Sequence, residues 1–194
     1  MMQLFVTAFL SVLPCVAVAQ TATAPTQGAE TKVDVTFSGG HDTVGEDRGR
    51  PVILIAAALN VPAQVFRDAF KNVKPAPAGE QPQEAQVRLN KQALMEALGP
   101  LGVTDDRLNE VSNYYRYRRS AGEMWRNTPA KAFATVRNGV VTGITITDAG
   151  SGYSSPPAVT IEGMANVSLT AMLFFGTDLT KNGSIEEIKI GSSN

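Results

Sequence analysis

The chain has little of what most enzyme chemistry uses. Its 194 residues hold one cysteine and one histidine, and 17 Lys and Arg stand against 18 Asp and Glu. A lone thiol, Cys15, forms no internal disulfide and no multi-cysteine metal cluster. A lone imidazole, His41, leaves any zinc site dependent on carboxylates, an unusual ligand set. Near-zero net charge removes the bulk attraction for nucleic acid or an acidic surface. No Gly-x-Ser-x-Gly elbow presents a serine nucleophile. Ser38 near His41 is too thin a basis for a triad.

Long apolar runs are also lacking. The longest opens the chain, "MMQLFVTAFLSVLPCVAVAQ", without a charged side chain. It is too short to span a bilayer as a helix. It ends in Ala17-Val18-Ala19, the small-x-small pattern of signal cleavage, which puts the mature start at Gln20. The n-region lacks Lys and Arg, and Pro14 stands where a lipobox has a small residue before its cysteine. A lipid anchor and an uncleaved anchor are the alternatives. Cleavage removes the only cysteine and leaves a thiol-free body, exported to the periplasm or beyond and held together by its core. It leaves no membrane span.

What is present divides by period. Residues 20–31 are small, polar and aperiodic, a flexible leader. Residues 32–122 read as a mainly helical unit with one strand, "KVDVTF", at its start. Helices are expected over "PVILIAAAL", with Pro51 at the first helical position, and over the stripe Val65, Phe66, Ala69, Phe70 and Val73. After the break "KPAPAGEQP", a third helix places Val87, Leu94, Met95 and Leu98 on one face and stops at Gly99-Pro100. Thr104 caps a fourth over residues 105–118, with Asp105 and Asp106 in its first turn and arginines near its last. Val103 before the cap is placed to staple onto Leu108. "AALNVPAQVFRDAF" echoes "GPLGVTDDRLNEVS", so two helix–turn–helix hairpins are expected to pack as a small bundle.

Residues 123–130 form a connector, and the period drops to two over 131–194. Asn138-Gly139 suits a type I′ turn, in a register that sets Phe133 against Ile144 and Val136 against Val141. A second hairpin is expected around Asn182-Gly183, as an internal repeat of the first. The fold class is therefore α+β: a small helical bundle plus a C-terminal antiparallel β unit. "KVDVTF" is free to join that sheet and tie the halves together.

"DAGSGYSSPPAVTIEG" (148–163) poses a choice between a ligand-cradling glycine loop and a corner between strands. A phosphate loop opens a helix. Pro156 and Pro157 remove two amides and a strand follows, so the corner reading wins, with Tyr153 as a packing plug. "VTGITITDAGSGYSSPPAVTIEG" resembles a β module that recurs in bacterial secreted, surface and phage-associated proteins. It has an "NG-VT-I-V" hairpin, then "GSGY", then a proline before "VTI". The match covers 134–163, with a partial copy near 173–191. The helical part, with "GGHDT", "GRPVILIAAALNVP" and "SNYYRYR", is similar to uncharacterised secreted proteins of environmental bacteria, which carry no activity over.

Three groups of side chains are candidates for function. His41, Asp42, Glu46 and Asp47 form a small acidic cluster suited to calcium or another hard cation, or to a carboxylate-based hydrolase. Tyr114, Arg116, Arg118 and Arg119 interleave aromatic rings and cations, as surfaces for anionic polymers do. The simpler reading makes them the end of a helix, with Arg116 or Arg119 free to pair with the acids of "GEDRG". "IAAALNVPAQVFRDAF" resembles the helix–turn–helix of DNA-binding proteins. Asp68 among Gln64, Arg67 and Lys71, and the export signal, set that reading aside. "DLTKNGSIEEIK" places Lys189 where a calcium loop needs a bidentate glutamate, so a hairpin is expected there instead. The leading expectation is an exported, non-catalytic binding or assembly protein, without cofactor, whose partner is a protein or glycan of the cell envelope. The alternatives are a hydrolase centred on the 41–47 loop and an anionic-polymer binder.

Overall fold

The structure is a computed structural model and describes residues 28–74 and 83–191. The expected signal segment, Cys15, most of the leader and most of the proline break lie outside the described residues. The chain is α+β, with four α-helices and two antiparallel sheets among the described residues. No single helix among the described residues is long and apolar enough to cross a membrane.

β1 (Glu30–Ser38) starts the fold and enters the sheet built by the C-terminal half. It lies between β2 (Lys131–Arg137) and β4 (Ala158–Ile161), with β3 (Val140–Asp148) outside β2. Thr31 pairs with Val136 on one side and Phe37 with Val159 on the other. "KVDVTF" therefore does bind the two halves. The alternation works as a half-buried strand requires: Val35, Ala132, Ala134, Val136, Val159 and Ile161 form one buried set.

The β2–β3 turn carries positive φ at Asn138 (51°) and Gly139 (77°), as a two-residue hairpin requires. Val136 opposes Val141, but Phe133 opposes Thr145 and not Ile144. The register slips because β3 holds one extra residue, Thr142, and later a second, Thr147. Each extra threonine turns its hydroxyl back to β2: Thr142 Oγ1 donates to Thr135 O at 3.2 Å, and Thr147 Oγ1 to Lys131 O at 3.1 Å.

The four helices are α1 (Val52–Ala58), α2 (Ala63–Phe70), α3 (Glu84–Leu98) and α4 (Asp105–Tyr114). The sequence echo has a backbone cause. Asn60 (φ 56°) and Gly102 (φ 90°) each take a left-handed turn. The next amide then reaches back five residues, from Val61 to Ala56 O at 3.0 Å and from Val103 to Leu98 O at 3.4 Å. Both valines are buried, and Pro62 and Thr104 follow in extended conformation ahead of the next helix. Thr104 Oγ1 accepts from Arg107 N at 3.2 Å, the cap read from the sequence. Pro51 precedes α1 as its cap residue, one position earlier than expected.

Two features of the helical unit depart from expectation. α4 ends at Tyr114, so Arg116, Arg118 and Arg119 lie beyond it and take no part in its dipole. Tyr115, just past the helix end, is buried with Leu108 and Val111 and carries their stripe into the core. Val87 is 47% exposed; only the C-terminal half of α3, through Leu94, Met95 and Leu98, docks on the core.

The second β pair, β5 (Leu169–Phe174) and β6 (Ser184–Ile190), forms a separate two-stranded sheet. Its connection is not a two-residue turn. Asn182 is fully buried and sits inside the molecule. Its Nδ2 donates to Leu54 O at 2.7 Å and to Tyr115 Oη at 2.9 Å, and its Oδ1 accepts from Gly176 N at 3.2 Å. Leu179 from the same connection joins the helical core. The Asn-Gly pair that suggested a tip is a plug, because the helical unit offers it acceptors at Leu54 O and Tyr115 Oη.

Asn182→Ala should therefore remove three hydrogen bonds, to Leu54 O, Tyr115 Oη and Gly176 N, and cost about 3 kcal/mol in urea unfolding, while Tyr115→Phe should cost about 1 kcal/mol. A loss below about 1 kcal/mol for the alanine variant would contradict the plug.

Candidate functional site

The loop from Ser38 to Pro51 carries the chain from the sheet to the helical unit. Its sequence-flagged acids do not converge. Glu46 and Asp47 fall in a short 3₁₀ turn, Gly45–Asp47, and both face Arg67 of α2. Asp47 is buried at 3% exposure, and its two oxygens accept from Arg67 Nε at 2.8 Å and Nη2 at 2.9 Å. This two-pronged contact is the strongest kind of side-chain ion pair. It raises the pKa of the Arg67 guanidinium above its ordinary value. Glu46 reaches the same Nε at 3.2 Å from a more exposed position.

Asp42 faces the other way, toward the glycine-tyrosine corner. Its amide donates to Ser155 Oγ at 3.0 Å, and its carbonyl accepts from Ser154 Oγ at 2.7 Å. His41 stacks on Tyr153 with ring centroids 5.3 Å apart and lies 5.9 Å from the Trp125 ring. Its Nε2 is buried without a partner. Burial lowers its pKa below the ordinary 6.5, against a hydrogen bond to the Gly39 backbone that raises it. A proton added at Nε2 would leave an unpaired charged N–H inside. Among the described residues no three His, Cys, Asp or Glu groups are placed to hold a metal ion.

The aromatic–cationic segment is likewise built into the scaffold. The Tyr114 ring lies 4.8 Å from the Arg126 guanidinium carbon. Arg118 pairs with Glu123. Tyr117 donates its hydroxyl to Gly49 O, and Arg119 Nη1 donates to Arg48 O at 2.9 Å. Arg119 thus does meet the "GEDRG" loop, but at a backbone carbonyl; the acids there are taken by Arg67. Arg116 is exposed and makes no ion pair among the described residues. In α2, Lys71 pairs with Asp68 at 2.7 Å, so the cations of the DNA-reading comparison also have partners in the fold.

These clamps fix the turn Arg48-Gly49-Arg50. Arg48 holds φ 49°, the one non-glycine, non-asparagine residue there with positive φ. Behind the turn, against α2, lies a cleft of about 390 Å³. Arg48, Arg50, Arg67 and Lys71 line it against the two carboxylates Glu46 and Asp47, and Val52, Phe70 and Val73 supply apolar wall. The Arg50 guanidinium lies 4.2 Å over the Phe70 ring, and its Nε is buried without a partner. Arg48 and Arg50 were not marked by sequence reasoning, and Arg67 was weighed only for DNA. The available signal was Arg67's place beside Phe66 and Phe70: a cation at the margin of an apolar stripe needs an acid, and "GED" is the nearest acidic cluster before it.

No protein-family model, no characterised protein and no solved structure matches the chain.

Asp47→Asn keeps the volume but leaves Arg67 facing an amide with one acceptor. The expected loss is about 2 kcal/mol in urea unfolding, reduced from the full cost for a buried pair because Arg67 is partly solvated. His41 makes a separate prediction. The unfolded state takes up a proton near pH 6.5, while the folded state resists it. This part of the stability is full above pH 6.5 and falls as the pH drops toward the lowered folded value. The thermal midpoint of the wild type should fall more between pH 7 and pH 5 than that of His41→Gln; equal falls would contradict the assignment.

Proposed function

We propose that the protein is an exported, non-catalytic binding or assembly module that meets a protein or glycan of the cell envelope. One observation carries the reading: the side chains that suggested chemistry are engaged in holding the fold. Asp47 is locked by Arg67, Asp42 is bonded to the serines of the corner, and His41 lies under Tyr153. A carboxylate hydrolase needs two acids facing substrate, whereas Glu46 and Asp47 share one guanidinium. The resemblance of residues 134–163 to a module of secreted and surface proteins supports the same placement, as does the Ala17-Val18-Ala19 cleavage pattern.

The surface for assembly is the open side of β3, which no other strand of the described residues flanks. The two bulges at Thr142 and Thr147 confine its regular part to Gly143–Ile146. Bulges at each end discourage indiscriminate pairing, while the segment between them still offers main-chain donors and acceptors to a short strand.

A photo-cross-linker placed at exposed Thr145 should give a specific adduct outside the cytoplasm, and one at exposed Asn109 on α4 should not. The recovered mature chain should begin at Gln20. Soluble cytoplasmic protein that retains Met1, or equal cross-linking from both positions, would overturn this reading.

A further inference from the structure

The cleft between the Arg48-Gly49-Arg50 turn and α2 has an imbalance that no ion pair among the described residues corrects. Four cations line it against two carboxylates. Arg67 uses both carboxylates: Asp47 through two hydrogen bonds and Glu46 through its Nε. Lys71 is balanced by Asp68. Arg48 and Arg50 remain, neighbours of like charge with no ion pair among the described residues. Arg50 is half-buried, its guanidinium lies against Phe70, and its Nε has no protein partner among the described residues. Burial and Arg48 together weaken its hold on the charge-bearing proton. A guanidinium remains charged in proteins, so the missing component is an anion.

The turn is also built at a conformational cost. Arg48 adopts a left-handed φ that asparagine holds at the two other positive-φ non-glycine positions, Asn60 and Asn138. Arg119 and Tyr117 hold the turn there through the carbonyls of Arg48 and Gly49. A plain connector would put asparagine or glycine at such a place; an arginine brings a second cation to the mouth of the cleft.

The geometry points to a binding site for a small organic oxyanion. Its carboxylate or phosphoryl head is held by Arg50 and Arg48, and its apolar body lies against Val52, Phe70 and Val73. The guanidinium fork matches both heads, and the apolar wall separates an organic anion from free phosphate. This names a ligand class for the binding module proposed above and rests on that reading.

Calorimetric titration of the full mature chain with hexanoate, hexyl phosphate, inorganic phosphate and hexylamine tests it. Hexanoate or hexyl phosphate should bind, the tighter of the two identifying the head group. Inorganic phosphate should bind more weakly and hexylamine not at all. Arg50→Gln should lower affinity about tenfold, the loss of one charge-assisted contact. Arg48→Asn should also weaken binding while raising the thermal midpoint, because it removes a cation and relieves the left-handed strain. That opposition separates a ligand role from a structural one and holds even if Arg50→Gln fails to fold. Absence of binding by both hexyl anions, equal binding of hexylamine, or unchanged affinity in Arg48→Asn would overturn the site. If hexyl anions fail while the Thr145 adduct persists, only the site falls; if the chain proves cytoplasmic while the anions bind, only the exported role falls.

Discussion

Gly152 and Tyr153 face Asn182 and Gly183 across two short backbone bonds, Gly152 N to Asn182 O at 2.9 Å and Tyr153 N to Gly183 O at 3.0 Å. From that junction the side chains reach both the helical unit and the start of the sheet. Asn182 extends to α1 and to Tyr115 after α4. Tyr153 Oη accepts from Ala130 N at 3.0 Å at the start of the sheet, and Trp125 Nε1 donates to Gly152 O at 2.8 Å. The approach is close enough to forbid a side chain: a Cβ on Gly152 would stand 2.7 Å from Arg126 O, and one on Gly183 would collide with Tyr153 O. The two glycine loops are thus two halves of one interlock: Tyr153 leaves no room for a side chain at Gly183, and the Arg126-Asn127 backbone leaves none at Gly152.

The interlock matters because the sheet is discontinuous in sequence. β1 must find β2 across the whole helical unit, with Thr31 opposite Val136. Closing so long a loop costs only slightly more than closing a moderate one, since the entropy grows with the logarithm of its length. The helical unit behaves as an insert between two strands of one sheet, and its core and the sheet's core are distinct clusters. Arg107 fastens the same seam elsewhere, donating to Ala58 O and to Thr177 O. A module joined by backbone-directed contacts of this kind resists relative motion of its halves better than one joined by apolar contact alone, because each buried donor loses its partner when the halves part.

What was legible in the sequence was local. The caps, the doubled helix–turn–helix and the strand-to-strand corner all follow from residues within a few positions of each other, and Thr104, Asn60 and Gly102 act there as their types dictate. The register of β3 was not legible, because Thr142 and Thr147 read as ordinary strand threonines until β2 is set beside them. Asn182-Gly183 misled for the same reason. An Asn-Gly pair suits a turn tip, and partners distant in sequence, Leu54 O and Tyr115 Oη, hold the asparagine inside. The candidate site shows the same division. The acids were visible as a cluster, but their partner Arg67 lies twenty positions on, and its two-pronged hold on Asp47 makes a clamp there.

That clamp also explains where charge is left over. A buried carboxylate needs a cation, and α2 supplies it in Arg67. Arg67 takes the hydrogen bonds of Asp47, so the arginines that flank Asp47 in sequence share one cleft with it but make no ion pair to it among the described residues. The fold then fixes the turn from outside, through Tyr117 and Arg119, and lays Arg50 on Phe70, an aromatic face that attracts a cation without neutralising it. Stability alone does not call for this arrangement. A neutral residue at position 50 would avoid the repulsion from Arg48 and the buried Nε, and asparagine at 48 would avoid the strain. The two arginines left without a carboxylate partner among the described residues are the ones that face the cleft together.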